Sequence, residues 1–70
     1  MNEAARILSL YIQLSKGKRI KKTEYCNEMG RSPRTFDRDI SAIRNCLIHE
    51  GVELVYDRRR EEYYLRGVLE

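Results

Sequence analysis

The stretch with the clearest chemical potential is Ser32-Pro33-Arg34-Thr35-Phe36-Asp37-Arg38-Asp39. Serine before proline is a strong helix start: the hydroxyl accepts from an orphan amide, and proline's fixed φ suits the first helical position. Arg34 and Arg38 then fall one turn apart, where both guanidinium groups reach the same surface. Arginine binds guanine O6 and N7 bidentately or clamps a phosphate, while the Ser32 hydroxyl and the first amides can hold a phosphate oxygen. Thr35 adds a further hydrogen-bonding side chain in the same turn. A second basic string, Arg58-Arg59-Arg60, can straddle phosphates or enter a minor groove. Both strings point to a polyanionic partner.

The distribution of charge agrees. The 70-residue chain has a formal net charge of +3. From Lys16 to Arg38, eight basic residues face only Glu24, Glu28 and Asp37, a net +5, so the remainder nets −2. Lys16, Lys18, Arg19, Lys21 and Lys22 are candidates for flanking phosphate contacts, and Arg31 for one beside the helix start. A basic middle on a near-neutral body is the footprint of a nucleic-acid binder, although solvated charge on a small domain has the same look.

Other chemistries find little support. Cys26 and Cys46 lie 20 residues apart and His49 is the one histidine, so no short-spaced zinc cluster forms. The cysteines read as two reduced thiols packed as small apolar side chains. His49, near a helix end, is placed to favour the helix dipole. No Gly-rich phosphate loop or catalytic constellation is visible, so neither an enzyme nor a cofactor is expected. No apolar run approaches the roughly 20 residues of a membrane span. The start, Met1-Asn2-Glu3, lacks the basic and apolar segments of a secretory signal, which predicts a cytoplasmic protein.

One small domain must position these residues, because so short a chain buries only about 60% of its unfolded surface. Ile7, Leu10, Tyr11 and Leu14 have helical spacing over Glu3 to Ser15, with Asn2 as N-cap and Gly17 past the end. A short extended step at Ile20 follows. Tyr25, Cys26 and Met29 give one face of a second helix, Lys22 to Met29, ended by Gly30. In the third helix, 33–48, Phe36, Ile40, Ile43 and Leu47 form a single inward stripe, and the helix ends near His49 to Gly51. Val52 to Tyr56 and Glu62 to Arg66 read as a two-stranded hairpin, 52–66, with Leu54, Tyr56, Tyr63 and Leu65 facing inward. The fold class is mainly α with a small β-hairpin, in the order of a three-helix winged helix-turn-helix. The domain spans 1–68. Leu69-Glu70 is either native or the pair commonly left before a polyhistidine tag.

With these residues in place, the chain resembles a known family. Glu24-Tyr25-Cys26-Asn27-Glu28-Met29-Gly30, Ser32, Arg34-Thr35-Phe36-Asp37-Arg38-Asp39-Ile40 and the Tyr63-Tyr64-Leu65 strand look like the DeoR-type domain that opens WYL-domain bacterial transcriptional regulators. The resemblance covers Ile7 to Leu65. It implies sequence-specific binding of double-stranded DNA, with helix 33–48 in the major groove and hairpin 52–66 as the wing. The residues it implicates are Ser32, Arg34, Thr35, Arg38, Arg31, Lys22, Arg58, Arg59 and Arg60. Asp39, matching the Asp of the family's Arg-Asp pair, is expected to orient an arginine. The resemblance also implies dimers on neighbouring half-sites, with the oligomerising and ligand-sensing parts in a downstream sensor domain; whether this piece itself forms a homodimer through Ile7 to Leu14 is not given by the sequence. Three positions depart from its pattern: Arg31 replaces a buried valine, Asp37 a neutral polar residue, and Glu61-Glu62 a glycine-rich wing end.

Alternatives to DNA contact exist at two levels. Asp37 and Asp39 flank Arg38 and can hold it in a surface ion pair. The acidic residues Asp37, Glu61 and Glu62 also support an alternative, a winged-helix protein-interaction module such as an adaptor or antirepressor. RNA binding is the weakest binding option, since no aromatic stacking platform is evident.

Overall fold

A computed structural model of the chain describes residues 2–67. Six elements follow in order: α1 (Glu3–Ser15), β1 (Ile20–Lys21), α2 (Lys22–Met29), α3 (Pro33–Leu47), β2 (Val52–Asp57) and β3 (Glu62–Gly67). Three helices and a terminal hairpin make a winged helix, as the periodicity predicts. The tag reading of Leu69-Glu70 lies outside the described residues, as does Val68 at the expected domain end.

Local chemistry sets the helix limits. The Asn2 side chain accepts from the Ala5 amide at 2.8 Å and starts α1. Ser32 does the same for α3, accepting from the Thr35 amide at 3.1 Å, with Pro33 at the first helical position. Gly30 ends α2 at φ 65°, a left-handed conformation in which a side chain is strained, and lets the chain turn into α3 within three residues.

The hairpin is part of a larger sheet than the sequence suggests. β1 pairs antiparallel with β3, Ile20 opposite Tyr63 and Lys21 opposite Glu62, giving three strands in the order β1-β3-β2. The extended step at Ile20 is therefore a strand. Ile20, only 3% exposed, anchors it to the core, and β1 covers an edge of β3 that a two-stranded hairpin leaves open.

The core joins Leu10 and Leu14 of α1, Ile20, Tyr25 and Cys26 of α2, the whole α3 stripe, and Leu54. Phe36 sits at its centre with no exposure. Its ring lies 5.4 Å from Tyr25 and 5.3 Å from Tyr63, both in inclined geometries that favour aromatic pairs, and so ties α2, α3 and the sheet together.

Three inward assignments need correction. Met29 closes α2 at the rim and is exposed, because the short helix has already turned its face at Tyr25 and Cys26. Tyr56 shares a face with Leu54 but lies at the loop end of β2, past the helical cover; its ring rests on Tyr63 at 4.8 Å and is otherwise exposed. Of the two thiols expected to pack as apolar groups, Cys26 does so, with its pKa raised by burial, whereas Cys46 is exposed beside the α1–α3 cleft.

The β2–β3 loop, 58–61, closes with Glu61 at φ 57°. This left-handed conformation costs a non-glycine residue about 1 kcal/mol. Glu61→Gly relieves this strain but gives the unfolded chain more freedom, so it is expected to stabilise the domain by only about 0.5 kcal/mol, read as a slightly higher urea midpoint with an unchanged slope.

Candidate nucleic-acid interface

α3 divides cleanly into two faces. Phe36, Asp39, Ile40, Ile43 and Leu47 are buried, which turns Arg34, Asp37, Arg38, Ser41 and Asn45 outward along one shallow, open depression. Arg34 and Arg38 sit there together, as their spacing predicts. Neither makes an ion pair among the described residues, so the alternative for Arg38, a surface pair with Asp37 or Asp39, does not form. Both acids are engaged elsewhere.

Asp39 is the larger surprise, being 1% exposed in the core stripe. It accepts from Arg6 of α1 through two bonds, Nε at 2.6 Å and Nη2 at 2.8 Å. A buried carboxylate needs such a partner, and the paired bonds fasten α3 to α1. The same contact raises the pKa of Arg6. Asp39 does orient an arginine, but one absent from the sequence-derived candidates. The spacing 36, 39, 40, 43 already placed Asp39 on the buried face; its partner, 33 residues away, left no local signal.

Thr35 does not share the open face. It lines a separate cleft with Glu3, Arg6 and Arg38, and its hydroxyl accepts from Ser32 Oγ at 3.0 Å. Ser32 is exposed at the start of α3, its oxygen committed to the cap. Arg31 is half-buried in the turn.

Lys22 and Asp37 form the other tie to α3. Lys22 Nζ lies 2.9 Å from one Asp37 oxygen and 3.0 Å from the other, joining the first residue of α2 to the outward face. This hydrogen bond is the main reason the Lys22 pKa is raised. Lys22 also lines a cleft with Thr23, Tyr56 and Glu61, so it stands between the α3 face and the wing loop.

The wing loop is built by Asp57, whose Oδ1 accepts from the Arg59 amide at 3.0 Å and the Arg60 amide at 3.2 Å. Arg19 lies behind it, 3.6 Å from Asp57 and 3.7 Å from Glu62, with its guanidinium 4.1 Å above the Tyr64 ring. Arg19 therefore braces the loop on the outer sheet face instead of standing free as a flanking phosphate contact, and Glu62 faces Arg19 instead of the loop tip. Arg58, Arg59 and Arg60 are exposed, and their side chains make no ion pair among the described residues. Lys16, Lys18 and Lys21 likewise form no ion pair there.

No protein-family model, curated protein or solved structure matches this chain. Among the described residues, no three His, Cys, Asp or Glu side chains gather where they could hold a metal ion. No described helix is long and apolar enough to cross a membrane.

Proposed function

We propose that this chain binds double-stranded DNA with sequence preference, as the DNA-reading part of a bacterial transcriptional regulator acting in the cytoplasm. α3 enters the major groove and the β2–β3 hairpin serves as the wing. The observation that carries this reading is the allocation of charge: Asp37, Asp39, Asp57 and Glu62 are occupied by Lys22, Arg6 and Arg19, leaving Arg34, Arg38 and the loop arginines without acidic partners among the described residues. An α-helix about 10–12 Å wide fits a major groove of about 12 Å. The DeoR-type resemblance adds a second copy on a neighbouring half-site and a sensor domain in a longer protein.

Fluorescence anisotropy with a random-sequence duplex tests this directly. Affinity is expected to fall steeply with salt, by roughly 0.9 in the log–log slope for each phosphate neutralised. Absence of duplex binding at low salt overturns the proposal. It would also favour the second reading, a protein-interaction module, which draws on the apolar cleft of Ile7, Leu8, Tyr11, Ile43 and Cys46 between α1 and α3.

A further inference from the structure

We infer that Asp37 reads a base: its carboxylate, braced by Lys22, accepts a hydrogen bond from the N4 amino group of cytosine in the major groove. This rests on the DNA-binding reading above and deepens it by assigning part of the sequence preference to one residue.

Asp37 occupies the outward face between Arg34 and Arg38, with its side chain 55% exposed. An acid on a surface meant for DNA repels phosphate, so its presence beside arginines that pair with no acid among the described residues calls for a compensating role. Lys22 supplies part of the compensation. Its ammonium bridges both carboxylate oxygens, which offsets the charge and restrains the side chain. A carboxylate offers about four acceptor positions, so each oxygen keeps capacity for a further donor.

The edge chemistry of the bases then selects the partner. Guanine presents O6 and N7 and thymine presents O4, all acceptors that repel a carboxylate. Adenine offers N6 as a donor but sets N7 beside it. Cytosine offers an amino donor with no adjacent acceptor further out on its major-groove edge. Asp37 therefore favours cytosine, whereas its arginine neighbours favour guanine.

Selection from a randomised duplex pool by the 70-residue chain, with Asp37→Asn and Asp37→Ala in parallel, tests this assignment. The wild-type chain is expected to enrich cytosine roughly tenfold at one position. Asp37→Asn should move that position to adenine, since an amide can pair with N6 and N7 together, and Asp37→Ala should erase the preference there while sparing the others. If all three select the same base at every position, Asp37 is only a structural tie between α2 and α3 and the inference fails. A drop in thermal midpoint without a change in base preference has the same meaning. A wild-type chain that binds no duplex removes the parent reading as well, which separates the two failures.

Discussion

Arg34→Ala combined with Arg38→Ala is expected to weaken duplex binding by roughly a hundredfold or more, because each bidentate arginine contact contributes about a factor of ten. Both side chains are exposed and neither is tied to an acid among the described residues, so their removal breaks no ion pair there. Alanine is also the best helix former, which favours retention of α3. Loss of affinity should therefore appear with an unaltered circular dichroism spectrum and thermal midpoint. The residual binding should show a shallower salt dependence wherever an arginine had neutralised phosphate. Each single variant should fall between the parent and the double variant. Unchanged affinity in the double variant would remove α3 from the interface.

Phe36→Ala tests the frame instead of the surface. Truncating a fully buried phenylalanine costs about 3–5 kcal/mol, through lost transfer energy and the cavity left behind. A domain of this size has only about 4–10 kcal/mol of stability in total. The loss is concentrated because Phe36 meets Tyr25 and Tyr63 from different elements, so the cavity opens where α2, α3 and the sheet converge. Urea titration should show a midpoint displaced far toward zero, with partial unfolding in buffer near physiological temperature. Phe36→Leu, which keeps much of the apolar volume, should lose less. A Phe36→Ala midpoint matching the parent would contradict the packing described above.

Much of this frame is legible in the sequence because short-range rules determine it. Ser32-Pro33 marks the start of α3, and the four apolar residues behind it fix which side faces in. The same rule, applied to every residue type, also buries Asp39. Restricting the stripe to apolar residues hid that charge, and with it the need for a partner. What escaped was set by tertiary proximity. Arg6 finds Asp39, Lys22 finds Asp37, and Arg19 finds Asp57 and Glu62 across distances in the chain that no period encodes. Composition counts such cations as available to a ligand; the fold shows which are already engaged. Tyr56 illustrates the complementary limit, since strand alternation gives its face but not where the helical cover ends.

The division of α3 into two faces has an evolutionary consequence. Apart from Asp37, which Lys22 ties to α2, the residues that hold the helix in place and the residues that meet the outside share no positions. If the proposed DNA reading holds, point changes at Arg34, Arg38, Ser41 or Asn45 retune target choice while the anchoring side chains stay constant. A lineage built on this arrangement can diverge in what it recognises through single substitutions, each passing through a folded ancestor.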